Sequence, residues 1–424
     1  MQLTSGQQQA LDSIQALQKP HPNGGGVGCV SGFAGTGKTS LIKVLVDEHE
    51  EDVLVCCPTG KACVRAREAA GARTKTIHSW LYEVDEDEKT GALYWGLKKI
   101  DKMERPRCGF LLVDEASMVT FSVFSDLYAR CRDLGLNLIL VGDGFQLPPV
   151  ETDPKLSGFS VFSPEMPAAF KVQLTEIHRQ ALDSPIIRAS MAIRQGQFAG
   201  EALSDLPLVL ESRLQEEART AWETEGVTIV HRNITRHQLN NGIRSDMGKG
   251  SEQLDKGEPL LVVQNNYPLE TFNGETVTNL NQPSPINTEP LAVHDAHTTS
   301  SIFVNVIQVQ VDTPLKGRQM ACVADREVFG TLGTVGAYVV KRAARRLLLD
   351  EYGHTDDGDV GGPPFMQANL GYILTCHKSQ GSQWSHGIVV IEPSLRLGTN
   401  DGRRWAYTAL TRMCKQVKIC WRTS

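Results

Sequence analysis

The chain has 424 residues, 41% of them hydrophobic and 22% charged, with a formal net charge of -6. It is too long for one core of ordinary size and points to about two or three domains. Its charge balance excludes a strongly basic protein, so any polyanion must be met by local clusters of Lys and Arg.

The ten cysteines are scattered without CxxC pairs, and Cys56 beside Cys57 sits in an apolar run, so they read as reduced core thiols. The N-terminus carries Gln2 and Gln7 to Gln9 in place of a charged and then apolar leader, and no run approaches membrane-spanning length. A soluble cytoplasmic protein is expected.

Ala10, Leu11, Ile14 and Leu17 recur at helical spacing, and Pro20 with the glycine-rich stretch 23–26 closes that helix. Gln7 stands near its start; its amide offers a donor and an acceptor, which suits an adenine edge and equally an ordinary helix start. The apolar run Val27 to Val30 leads into Gly32 Phe33 Ala34 Gly35 Thr36 Gly37 Lys38 Thr39, followed by the helical pattern Leu41, Ile42, Leu45. Glycines let successive backbone N–H groups curl around a triphosphate at the positive end of a helix. In such a loop Lys38 reaches the β- and γ-phosphates and the Thr39 hydroxyl binds Mg2+.

Val53 to Cys57 is a second short strand, followed by Pro58 Thr59 Gly60 Lys61 Ala62 and another helix, which is βαβ construction. Thr76 Ile77 His78 Ser79 closes the unit with groups suited to phosphate contacts, although His78 alone equally suits a packed or solvated histidine. Leu81 to Glu86 and Ala92 to Leu97 flank the polar turn Asp87 to Gly91 and suggest a β-hairpin. Its Tyr94 and Trp95 suit strand packing or a stacking surface for bases.

Phe110 to Val113 reads as a buried strand ending in Asp114 and Glu115. The carboxyl ends of a parallel sheet are where ligands sit, so Asp114 would hold Mg2+ mostly through water and Glu115 would orient and deprotonate an attacking water. A helix bearing Val123, Phe124, Leu127, Tyr128 and Cys131 leads to the strand Leu136 to Val141, which ends in Gly142 Asp143 Gly144 Phe145 Gln146 Leu147 Pro148 Pro149.

In order and spacing, Gln7, the phosphate loop, Cys57 to Ala62, Thr76 to Ser79, Asp114 to Met118 and Gly142 to Pro149 resemble superfamily-1 helicases. The pattern looks like the RecD and phage Dda type, which in that family moves 5′→3′ on single-stranded DNA. Further along, Leu174 to Gln180 is similar to the family's motif IV, with Arg179 reaching the γ-phosphate. Val227 to Val230 followed by Leu239 and Asn240 looks like the opening of a second motor domain. Leu260 to Asn266 with Phe272 to Glu275 resembles the start of a small SH3-like β insertion, and the alternation Ile302, Val304, Val306 suits strands there. The helical pattern Val339 to Leu349 carries Lys341, Arg342, Arg345 and Arg346 as a solvated face, and 353–364 reads as a loop. Tyr372 to Trp384 is similar to motif V, with Gln383 where the family usually has an acidic residue. Trp405 to Arg412 looks like motif VI.

The resemblance implies an α/β protein with two RecA-like P-loop NTPase motor domains. Residues 1–150 would form the first, with the hairpin at about 80–108; 151–255 and 363–424 would form the second; and 256–362 would form the β insertion. ATP would lie between Lys38, Thr39, Asp114, Glu115 and Gln146 on one side and Arg179 and Arg412 on the other. Gln7, Gly35, Thr36, Gly37 and Gly381 would complete the nucleotide site, and Thr39 and Asp114 would hold Mg2+. Pro58, Thr59, His78, Thr375 and His377 match positions that touch the DNA strand, and Tyr94 or Trp95 would split a duplex. The implied partners are single-stranded DNA, single- to double-strand junctions and a single-strand-binding or replication protein, with no membrane. A monomer is expected, and, because the chain ends soon after motif VI, a free-standing motor. Two other readings stay open: a translocase that strips proteins from single strands without unwinding, and a nucleotide-gated binding switch.

Overall fold

The computed structural model describes residues 3–17, 25–49, 52–86, 93–151, 153–177, 183–197, 199–250, 253–266, 268–269, 271–295, 300–313, 316–332, 335–353 and 361–423. Its contacts form two compact units. The first comprises Met1–Leu206, Gly381–Gln383 and Arg396–Lys415; the second comprises Pro207–Gln380, Trp384–Leu395 and Gln416–Ser424.

The first unit runs α1 (Ser5–Leu17), β1 (Val27–Gly32), α2 (Lys38–His49), β2 (Leu54–Cys57), α3 (Gly60–Ala70), β3 (Arg73–Thr76) and α4 (Ile77–Leu81). It continues with β4 (Tyr82–Glu86), β5 (Leu93–Leu97), β6 (Phe110–Val113), α5 (Phe121–Asp133), β7 (Asn137–Gly142), β8 (Phe170–Leu174) and α6 (Pro185–Arg194). Its main sheet has the order β3-β2-β6-β7-β1-β8 and its pairs are parallel.

Parallel strands covered on both faces read as continuous apolar runs whose side chains alternate between two cores. Val55, Cys57 and Leu112 pack with Leu11, Leu41 and Ala66 of α1, α2 and α3. Their neighbours Leu54, Cys56 and Leu111 pack on the other face with Trp80 of α4 and Leu127 of α5. Cys56 and Cys57 are therefore buried free thiols on opposite faces.

β4 and β5 pair antiparallel, with Asp85 opposite Tyr94 and Val84 opposite Trp95. The side chains of Tyr94 and Trp95 lie outside the described residues. β8 runs parallel to β1, with Phe170 beside Gly28 and Leu174 beside Gly32. That pairing draws residues beyond 150 into the first sheet, and the compact unit continues to Leu206.

The second unit contains β9 (Leu208–Val209), α7 (Leu214–Glu223), β10 (Val227–Val230), α8 (Asn233–Asp246), β11 (Pro259–Val262), β12 (Thr276–Asn279), β13 (Ser284–Pro285), β14 (Leu291–Asp295) and β15 (Ser300–Val304). Then follow β16 (Val306–Thr313), β17 (Gly317–Ala324), α9 (Ala337–Tyr352), β18 (Ala368–Leu370), β19 (Ile373–Thr375) and β20 (Trp384–Ile391). α10 (Asn400–Leu410) belongs to the first unit, and β21 (Met413–Trp421) continues into the second.

β10 lies between β19 and β20, parallel to both, in a sheet of order β19-β10-β20-β21-β9. A separate antiparallel sheet has the order β13-β16-β12-β11-β18, with β17 on β16. One large apolar core spans both sheets, from Val230 and Ile388 to Val262, Val309 and Leu370. No helix among the described residues is long and apolar enough to cross a membrane.

Candidate active site

All strands of the first sheet run the same way, so their carboxyl ends share one edge. Along it lie the loop after β1, Pro58 and Thr59 after β2, His78 after β3, Asp114 and Glu115 after β6, and Asp143 to Gln146 after β7. All but His78, which follows the polar strand β3, are thus placed by short apolar strands that stop at the sheet's edge.

Gly35 and Gly37 have φ of 81° and 79°, the left-handed region in which a β-carbon is strained. Thr36 is buried and its hydroxyl donates to Phe33 O at 2.8 Å, which tightens the curl. Lys38 Nζ donates to Gly32 O at 2.7 Å and to Phe33 O at 3.1 Å, while Thr39 is exposed at the start of α2. The loop is closed on itself, with its ammonium group where an anion would displace the carbonyls.

Gln7 is 1% exposed; its Nε2 donates to Gly37 O at 3.0 Å and its Oε1 accepts from Thr4 N–H at 2.8 Å. Its amide braces the loop against α1, so contact with an adenine edge would require exchanging these bonds.

Asp114 and Glu115 are both buried. Burial, reinforced by the charge of Glu115, raises the Asp114 pKa above the ordinary carboxylate range. Burial also opposes ionisation of Glu115, but the charges of Arg65 and Arg412 outweigh it and hold that carboxyl low. Arg65 Nη2 lies 2.5 Å from Glu115 Oε1 and 3.9 Å from Asp114 Oδ2. Glu115 Oε2 and Gln146 Oε1 are buried without a hydrogen-bond partner among the described residues. Such orphaned acceptors suit a bound water or a hydrated hard cation, and the oxygen donors of Thr39 and Asp114 suit Mg2+.

α10 closes onto this edge. Tyr407 Oη donates to Asp143 Oδ2 at 2.5 Å and accepts from Ala34 N–H at 3.0 Å. Arg404 donates to Gly144 O and Gln146 O, both at 3.0 Å, and Leu147 N–H donates to Thr408 Oγ1 at 2.9 Å. Arg412, two residues beyond α10, falls within the first compact unit. Arg412 is 2% exposed, and its guanidinium donates to Thr408 O at 3.2 Å and Ser382 O at 3.4 Å. Gly381, φ 77°, lies against Thr59, where an added β-carbon would sit 2.5 Å from Thr59 Oγ1.

Thr59 caps α3, its hydroxyl accepting from Ala62 N–H at 3.2 Å. His78 is half-buried, and burial keeps its imidazole pKa below the ordinary value. Thr375 and His377 belong to the second unit, Thr375 buried at the end of β19 and His377 exposed. Arg179 lies outside the described residues.

Sequence reasoning missed Arg65, Arg404 and Tyr407. Arg65 is one of two arginines on a short helix, indistinguishable by spacing from Arg67; only the fold brings it to Glu115.

The model of the AAA domain matches residues 2–208, and that of the UvrD-like helicase C-terminal domain matches residues 370–419. The ATP-dependent RecD2 DNA helicase of Deinococcus radiodurans is 28% identical over 402 residues, covering 90% of this chain and 45% of that protein. The ATP-dependent DNA helicase dda of Enterobacteria phage T4 is 26% identical over 210 residues, covering 48% of this chain and 45% of that one. In these matches the chain is similar to superfamily-1 helicases of the RecD and Dda type. It spans about half the length of these two relatives. Among solved structures, the crystal structure of Bacteroides Pif1 bound to ssDNA superposes with a TM-score of 0.55 at 19% identity, over 99% of this chain and 92% of that one. The likeness establishes the fold, two RecA-like α/β domains.

Proposed function

We propose that the chain is an ATP-dependent DNA helicase that translocates 5′→3′ on single-stranded DNA and couples ATP hydrolysis to duplex unwinding. The observation that carries this is the convergence on one sheet edge of the glycine loop with Lys38, the buried pair Asp114 and Glu115, Gln146 with an orphaned acceptor, and the buried cation Arg412. The names of the relatives, ATP-dependent DNA helicases, and the single strand in the Pif1 crystal support the same reading.

In this reading the loop N–H groups and Lys38 hold the triphosphate, with Gly35, Thr36, Gly37 and Thr39 shaping the cradle. Thr39 and Asp114 would hold Mg2+ mostly through water; that ion neutralises phosphate charge when bound. Glu115 takes the proton of the attacking water, Gln146 orients it, and Arg412 and Arg179 offset the charge that develops. Pro58, Thr59, His78, Thr375 and His377 contact the strand, chiefly its phosphates, so salt weakens binding steeply. Hydrolysis biases a two-state domain motion, because nucleotide binds its states with different affinity. Tyr94 or Trp95 acts as the wedge at a junction. Changing both to Ala abolishes unwinding and spares ATP hydrolysis; equal loss of both activities removes that role. A single-strand-binding or replication protein as partner, a monomeric state and a cytoplasmic location complete the proposal.

The test is ATP hydrolysis by the purified protein with and without single-stranded DNA, with Lys38→Ala as the blank. Strong stimulation lost in the variant is expected. No stimulation by DNA or RNA in a folded protein would overturn the motor reading in favour of a nucleotide-gated switch.

A further inference from the structure

The buried carboxylate pair is met by a cation from a helix that has no part in the phosphate cradle. Arg65 lies within α3, its side chain 24% exposed, with Nη2 at 2.5 Å from Glu115 Oε1. The backbone of Glu115 is left-handed, φ 52° and ψ 37°, a conformation that a residue with a β-carbon keeps only where its surroundings hold it. Its N–H donates to Asp114 Oδ1 at 2.8 Å, and Oε2 is left buried and unpartnered among the described residues. One oxygen is clamped and the other is open.

We infer that Arg65 is a positioning residue for hydrolysis: by gripping Oε1 it turns Oε2 of Glu115 towards the attacking water. The water's proton passes to Oε2 as its oxygen bonds to the γ-phosphorus and the bond to the bridging oxygen breaks, releasing ADP; the proton then leaves to solvent. A guanidinium suits the task because its planar fork fixes a carboxylate's orientation as well as its charge. Thr59 caps the same helix, so the strand-facing end of α3 and the clamp on Glu115 share one rigid element. The inference rests on the ATPase reading above.

The experiment compares ATP turnover at saturating single-stranded DNA for the wild type, R65A, R65K, E115Q and R65A/E115Q, with binding of a non-hydrolysable ATP analogue as a control. R65A should lower kcat about 10- to 100-fold, the range seen when a supporting partner of a reacting group is removed. KM for ATP and analogue affinity should stay within about twofold, since ground-state binding is untouched. R65K should recover part of the loss, and R65A/E115Q should be no slower than E115Q, because Arg65 acts through that carboxylate. Full turnover in R65A, a rise in KM that accounts for the loss, or a further fall in the E115Q background would overturn the inference. R65K keeps the charge and most of the bulk, so it carries the test if R65A does not fold. A wild type without ATPase activity would remove the underlying reading; an active wild type with an unaffected R65A would remove the positioning role alone.

Discussion

Tyr407 and Asp143 are joined by a 2.5 Å hydrogen bond, and the same phenol accepts from Ala34 N–H in the phosphate loop. One hydroxyl therefore ties α10, the turn after β7 and the loop after β1 into a single structure, with both partners buried. Asp143 has a second donor in Phe145 N–H at 3.0 Å, and burial raises its pKa.

Tyr407→Phe keeps the ring and its edge-on packing against Phe145 but removes both bonds. It should destabilise the first unit by about 1 to 3 kcal/mol, the cost of leaving a buried polar group unpaired. Chemical denaturation measures this, and ATP turnover should fall in the folded variant because the loop and Gln146 lose a shared anchor. A Tyr407→Phe protein as stable as the wild type would show that water replaces the phenol.

Gly381→Ala places a β-carbon at φ 77° and 2.5 Å from Thr59 Oγ1, so Thr59 must move. Strand binding should weaken roughly tenfold, about 1.4 kcal/mol, with nucleotide affinity less affected. Fluorescence anisotropy with a labelled single strand reads the change. An unchanged Kd would take Thr59 off the binding surface.

In the second unit Arg244 Nη1 lies 2.6 Å from Glu258 Oε2, and Glu258 also accepts from Tyr372 Oη at 2.8 Å and Asp255 N–H at 2.7 Å. Arg244 is 1% exposed and Glu258 0%. Lys249 Nζ also lies 3.5 Å from Glu258 Oε1, so Arg244→Met removes the shorter of two ion pairs and should cost up to about 3 kcal/mol, whereas Arg244→Met with Glu258→Gln should recover much of it. Thermal melting of the two variants gives the comparison. Equal melting temperatures would mean that the loss comes from packing against Phe329, whose ring lies 4.8 Å from the guanidinium, and not from charge.

Glu327 is 3% exposed, and burial pushes its carboxyl up to about 7, partly offset by the hydrogen bond from Gln367 Nε2 at 3.1 Å. The folded state holds this proton more tightly than the unfolded chain does. Stability should therefore fall as pH rises from the ordinary carboxylate value through 7, and level off above it. Glu327→Gln removes the charge and keeps an acceptor for Gln367. It should raise stability at pH 8 by about 2 to 3 kcal/mol and leave stability near pH 4 unchanged. Equal effects at both values would assign the change to packing.

Much of the site was legible from residue order alone. An apolar run that stops at Gly32, Cys57, Val113 or Gly142 announces a buried parallel strand, and a polar residue directly after it must sit at the sheet's edge. The loop Gly32 to Thr39, the pair Asp114 and Glu115, and Gln146 follow from that rule without coordinates. So does the helix around Lys341, because its period is local, and it appears as α9.

Contacts that join distant parts of the chain were not legible. β8 is a short strand with an exposed Lys171 and Gln173, and its pairing with β1 is set by which strand edge is open, so a boundary near 150 looked natural and the unit runs to Leu206. Arg412 could be named from its place after Thr411, but the helix before it is held by hydrogen bonds that Arg404 and Tyr407 donate and Thr408 accepts, with partners over 250 positions away. Arg65 carries no pattern of its own. The sequence by itself determined the strands, the cradle and the acidic pair, because periodicity and glycine chemistry are local. Which cation meets Glu115, which helix closes on Asp143 and where one unit ends were decided by tertiary packing, because buried charges and hydrogen-bonding groups take whatever partner the fold brings within reach.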